Sequence, residues 1–83
     1  MSDPQPQVHL TPREQEVLVR VGWGLSTKEI ALALEIAPKT VDGHVERMRL
    51  KMGAHNRSHL IGLAAGMGLL APGGEAMIDD TTG

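Results

Sequence analysis

Eighty-three residues suffice for one small domain, whose single hydrophobic core leaves it only marginally stable without help. Eight Lys and Arg against ten Asp and Glu give a net charge of −2, and the absence of cysteine excludes both a disulfide framework and a thiolate zinc site. The apolar residues are Leu, Val, Ile, Ala and Met with one aromatic, Trp23, which leans all-α, and no apolar run approaches the roughly 18 residues that span a bilayer.

In chain order, residues 1–9 hold two prolines and few apolar groups, and the stretch "MSDPQPQ" is polar where a signal sequence is apolar. They are expected to form a flexible tail. Residues 71–83, mostly Gly, acid and Thr, are expected to form a second, acidic one. Between them, residues 10–70 carry four helical patterns and no strand-like alternation.

The first helix starts at "LTPRE". Thr11 suits the N-cap, Pro12 the first helical position, and Glu14 completes a capping box with Thr11. Val17, Leu18 and Val21 supply its apolar stripe, and "GWG" ends it. A second capping box, Ser26 to Glu29, opens the next helix, with Ile30, Ala31 and Leu34 as its stripe. The link "EIA" leads to a third helix from Pro38 to the stop at Gly53. Ala37 stands at its cap position without a side-chain acceptor, at a cost of about 1 kcal/mol. The fourth helix runs from a cap at Asn56 through Leu60, Leu63, Ala64 and Met67 to Gly68.

The third helix, "PKTVDGHVERMRLKM", holds most of the chemistry. At about 100° per residue, Val41, Val45, Met48 and Met52 form a buried stripe. Lys39, Gly43, Glu46 and Leu50 then point outward, Thr40, His44, Arg47 and Lys51 line one flank, and Asp42 and Arg49 line the other. Net charge misleads here because charge is uneven. All eight cations lie within residues 10–70 with six of the carboxylates, while Asp3, Glu75, Asp79 and Asp80 lie in the tails. From Lys39 to Arg57 the five cations Lys39, Arg47, Arg49, Lys51 and Arg57 face only Asp42 and Glu46, so the positive charge is local.

Two short helices joined by three or four residues, the second of them basic, is the helix-turn-helix arrangement. The residue order goes further: "LTPREQEVL", "GLSTKEIALALEIAPKTVDGHVERMRLKMGAHNR" and "GLL" closely resemble the LuxR/GerE family of bacterial DNA-binding domains over residues 10–70. The resemblance implies an all-α, four-helix domain with a helix-turn-helix from Ser26 to Val45 and a recognition helix over 38–52 in the major groove. It implies bacterial transcriptional regulation through double-stranded DNA, in the cytoplasm at the nucleoid. Lys39, Thr40, His44, Lys51 and Arg57 match phosphate-contacting positions of the family, and Arg47 shares their flank. The family's base-reading positions fall on Asp42, Gly43 and Glu46, where basic or polar residues are more usual. A carboxylate only accepts hydrogen bonds, and the base-edge donor that suits it is cytosine N4 in the major groove. Glu46, with or without Asp42, is therefore expected to select cytosine, and Gly43 to let the backbone come close.

Each reading has a plainer competitor. Asp42 and Glu46 are equally a solvated helix face, Asp42 pairing with Arg49 or lying idle and Glu46 having only Leu50 at i+4. His44 lies off the buried stripe, which favours a phosphate over a core role. His55 and His59 have i, i+4 spacing but no third ligand nearby, and no metal or cofactor is expected. Trp23 reads as surface packing, or as a contact for RNA polymerase or another regulator. "GLAAG" gives a small-residue face of Gly62, Ala65 and Gly66, and because family members commonly dimerise through the last helix, these residues are expected to meet a second copy. The rival function, motivated by the net charge and the two carboxylates, is a protein-interaction module or antagonist that pairs with another regulator without binding DNA. An enzyme is not expected, since the sequence has no cysteine nucleophile, glycine-rich phosphate loop or metal triad.

Overall fold

Reciprocal side-chain caps fix where the first two helices begin. In the computed structural model, which describes residues 9–70, α1 spans Pro12–Gly22 and α2 spans Thr27–Leu34. Glu14 N–H donates to Thr11 Oγ1 at 3.1 Å and Thr11 N–H to Glu14 Oε1 at 3.0 Å. At α2 the same box closes between Ser26 and Glu29 at 2.8 and 3.1 Å. The long helix α3, Pro38–Met52, starts on Ala37 with no side-chain cap, and α4, Arg57–Gly66, starts on Asn56, whose Oδ1 accepts from His59 N–H at 2.9 Å. The tails expected at 1–9 and 71–83 lie outside the described residues, apart from His9.

Left-handed residues terminate α2 and α3. Gly53 follows α3 with φ +69°, and Ala54 N–H reaches back to Arg49 O at 2.9 Å. Glu35 takes the same role after α2 at φ +59°, while Ile36 N–H bonds Ala31 O at 3.0 Å. A side chain there costs on the order of 1 kcal/mol, because Cβ crowds the following carbonyl.

The core gathers one stripe from each helix: Val17, Leu18 and Val21; Ile30 and Ala31; Val41, Met48 and Met52; Leu60 and Ala64. Each such side chain larger than alanine contributes roughly 1.5 to 3 kcal/mol on burial. Helix α3 packs against all three others, so its inner face is fixed from several directions while its opposite face stands clear. Val45, Leu34 and Leu63 flank this core half-buried. Met67, expected on the α4 stripe, is half exposed because the helix ends at Gly66 and Met67 is its cap, Gly68 then turning at φ +80°. Ala54 and Leu70, outside every periodic stripe, are buried. Among the described residues no helix is long and apolar enough to cross a membrane.

Candidate nucleic-acid interface

The interface starts from a buried carboxylate. Glu14, read from sequence as a cap, is only 1% exposed and serves as an ionic hub between α1 and α3. Lys51 Nζ donates to Glu14 Oε1 at 2.7 Å and to His9 O at 3.1 Å, and Arg47 Nε stands 3.7 Å from Glu14 Oε2. Burial alone would push the Glu14 carboxyl up. The Lys51 hydrogen bond, the Thr11 N–H and the charges of Lys51 and Arg47 outweigh it, so Glu14 sits below its usual value of 4.5. A sequence signal for this was present: Glu14 precedes Val17, Leu18 and Val21 by three, four and seven residues, which places it on the apolar stripe.

The expected phosphate positions divide accordingly. Lys39 and Thr40 are exposed on the first turn of α3. His44 and Arg47, one turn further on, are joined by a contact of 3.0 Å between Arg47 Nη2 and His44 Nδ1, and the tautomer that accepts there carries its donor on Nε2. Lys51 is turned towards Glu14. Arg57, at the start of α4, is tied to the helix-turn-helix: Nη1 donates to Thr27 Oγ1 at 3.3 Å and Nη2 to Leu25 O at 3.2 Å.

At the positions expected to read bases, both carboxylates take partners that the spacing did not single out. Asp42 does not take Arg49; its Oδ1 accepts from Thr27 Oγ1–H at 3.2 Å, which bridges α3 to the start of α2. Glu46 is not without a partner. Arg49 Nε donates to Glu46 Oε1 at 3.0 Å and Nη2 to Oε2 at 2.6 Å, while Nη1 donates to Ala54 O at 2.9 Å. The reason is axial distance. Asp42 and Arg49 share a flank but lie seven residues, about 10 Å, apart along the helix, whereas i, i+3 neighbours lie one turn apart. The Arg49 hydrogen bonds, aided by its charge, hold the Glu46 carboxyl below the usual carboxylate value, and Glu46 in turn raises Arg49. Gly43 lies between these groups, and a Cβ there would meet only Arg47 Nη1, at 3.7 Å.

Elsewhere, Gly62, Ala65 and Gly66 lie exposed on α4, and a Cβ on either glycine would meet nothing within 4 Å. Packing within the chain does not call for small residues there. His59 Nδ1 accepts the His55 N–H at 2.9 Å and the two rings stack at 5.0 Å. Among the described residues no cluster of His, Asp and Glu could hold a metal. Trp23 is half exposed beneath the Arg20 guanidinium, 5.7 Å from the ring centroid. An open hollow at the α2–α3 turn is lined by Lys28, Ala31, Leu32, Ile36 and Pro38.

Comparison with known proteins gives three kinds of match. The family described as bacterial regulatory proteins, luxR family, matches residues 8–64. The chain is 41% identical over 61 residues to the transcriptional activator protein BjaR1 of Bradyrhizobium diazoefficiens, covering 74% of this chain and 25% of that protein. It is 40% identical over 67 residues to the response regulator Rre1 of Synechocystis, covering 80% and 29%. Among solved structures, the Vibrio cholerae VqmA–ligand–DNA complex aligns with a TM-score of 0.75 at 32% identity, over 99% of this chain and 34% of that one. The chain thus spans about a quarter to a third of the length of these relatives.

Proposed function

The chain belongs to the luxR family of bacterial regulatory proteins, and from that membership we propose that it is a DNA-binding unit of transcriptional regulation, α3 entering the major groove of duplex DNA. The observation that carries this reading is the two-sidedness of α3. Its Val41, Met48 and Met52 face is held by three other helices, and its clear face has Lys39 on the outward strip and Thr40, His44 and Arg47 along one edge. In this reading those four, with the remaining N–H groups of Lys51 and Arg57, hold the phosphates and fix register. Asp42, Gly43 and Glu46 meet the base edges. The VqmA structure that this chain resembles was solved with DNA, which supports the same docking.

A second copy pairs through Gly62, Ala65 and Gly66 of α4, and the operator is then pseudo-palindromic with half-sites about 34 Å apart or in a related spacing. Trp23 and Arg20, at the opposite end of α1 from its cap, offer a contact to RNA polymerase or another regulator. The rival reading, a module that pairs with regulators without touching DNA, drew on the carboxylates of α3, and it loses force where Glu46 is charge-paired with Arg49.

Selection of binding sites from random duplex DNA at two salt concentrations tests the reading. Neutralising four to six phosphates predicts that log K falls with log salt at a slope of about −4 to −5. Absence of salt-sensitive binding to any sequence sinks the proposal. Half-site spacing in the selected pool reports the dimer.

A further inference from the structure

Glu46 is the one acidic side chain on the outward strip of α3, and its orientation is not left to chance. A free glutamate on a helix surface samples many rotamers, and an acceptor that wanders cannot tell one base edge from another. Here the planar guanidinium of Arg49 grips both carboxylate oxygens in a fork, at 3.0 and 2.6 Å. The third point of the fork, Nη1, is anchored to the carbonyl of Ala54, a buried residue in the α3–α4 link. Arg49 is thus held by backbone at one end and holds Glu46 at the other. The side chains are 30% and 56% exposed, so the carboxylate faces solvent while its holder is partly covered.

A carboxylate has about four lone-pair sites. Arg49 uses one on each oxygen, and the outer one on each stays open to a donor from outside. The pair also carries no net charge, which removes the repulsion that a lone carboxylate would feel beside phosphates.

We propose that Arg49 is a positioning residue for base reading: it fixes the Glu46 carboxylate as an acceptor aimed from α3 at a single base pair, the cytosine N4 amino group being the donor it fits. This rests on the DNA-binding reading above and adds a specificity role for a residue outside the base-facing strip. Three of the five Arg49 N–H donors are engaged within the chain, two of them by Glu46, so its role is told apart from a phosphate contact by whether its effect depends on Glu46.

The test uses the full chain and the operator obtained from random-sequence selection. Glu46→Ala first identifies the base pair whose preference it relaxes. At that pair the wild type is expected to favour cytosine by about tenfold or more over the other bases. Arg49→Ala, and Arg49→Lys, which keeps the charge but cannot form the fork, are expected to reduce that ratio to about threefold or less while preferences at other positions persist. In the Glu46→Ala background, Arg49→Ala should change the ratio no further. Nitrogen-15 NMR of the free protein gives a second readout. The Arg49 Nε–H should exchange slowly with solvent, and Glu46→Ala should remove that protection. Unfolding midpoints confirm that each variant is folded, and Arg49→Lys, which can still donate to Ala54 O, stands in if Arg49→Ala is not.

An unchanged ratio in a folded Arg49 variant overturns the inference. So does an equal loss of affinity for all four bases that persists without Glu46, the signature of a phosphate contact. Wild-type binding whose preferences all survive Glu46→Ala also overturns it while leaving the proposed function standing. Absence of salt-sensitive DNA binding removes both.

Discussion

Two glutamates meet cations of α3 at nearly the same distance, Glu14 with Lys51 at 2.7 Å and Glu46 with Arg49 at 2.6 Å, yet the two pairs occupy opposite regimes. The Glu14 side chain is 2% exposed and lies between helices, where a carboxylate without its partner is left desolvated. The Glu46 side chain is 56% exposed, and water replaces a lost partner at little cost. Similar geometry therefore has different consequences: the inner pair ties α1 to α3, and the outer pair shapes a surface without adding stability. Pairing with Arg49 also makes the Glu46 carboxylate compatible with the proposed approach of α3 to DNA.

Replacing the two glutamates in turn is the sharpest way to break this comparison. Glu14→Ala removes the hub and the reciprocal cap together and is expected to cost roughly 2 to 3 kcal/mol by urea denaturation. Glu46→Ala should leave the midpoint where it is. Equal shifts in the two variants would mean that burial does not separate the pairs.

Acid titration sharpens the inner half of the contrast. The Glu14 carboxyl lies below 4.5 in the folded protein, so its contribution to stability is complete above the unfolded value, near pH 4.5, and is lost as pH falls through the lower folded value. Glu14→Gln should flatten the stability curve in that acid window and leave it unchanged at neutral pH apart from a constant offset. A curve that keeps its full acid limb without Glu14 assigns the limb to other carboxylates.

Smaller effects come from the helix that both pairs share. Ala37→Ser supplies the acceptor that α3 lacks at its start and should stabilise by about 1 kcal/mol in thermal unfolding, with no change at Glu14 or Glu46. Gly43→Ala should stabilise by about 0.5 to 1 kcal/mol, since the added Cβ meets only Arg47 Nη1 at ordinary contact distance. If Gly43 admits the backbone to a base edge, the same variant binds operator DNA more weakly. A variant that is more stable and binds equally well would remove Gly43 from the base-reading set.

Several features are legible in the sequence alone. Thr11, Ser26 and Asn56 cap the helices as their side-chain chemistry requires, and Pro38 and Gly53 bound α3. Val17, Leu18, Val21, Ile30, Val41, Met48 and Leu60 are buried as their spacing demands. The family followed from the residue order. These are determined within one or two turns of chain, where a hydroxyl three residues from an N–H, or an apolar group every third or fourth position, acts almost regardless of the rest of the fold.

What the tertiary structure decided are the partners. Lys51 stands on the expected phosphate flank by its wheel position, yet it faces Glu14, thirty-seven residues away in sequence. Asp42 meets Thr27 rather than Arg49, and Arg57 braces the start of α2. The burial of Ala54 and Leu70 belongs to no helical period. The physical reason is common to all of them. Charged and polar side chains are long, several candidates lie within reach on any helix, and the choice among them depends on how far apart the helices pack and how dry the space between them is. Spacing in the sequence placed Glu46 on the outward face of α3; only the packing of the α3–α4 link, which presents the Ala54 carbonyl to Arg49, decided how firmly it is held there.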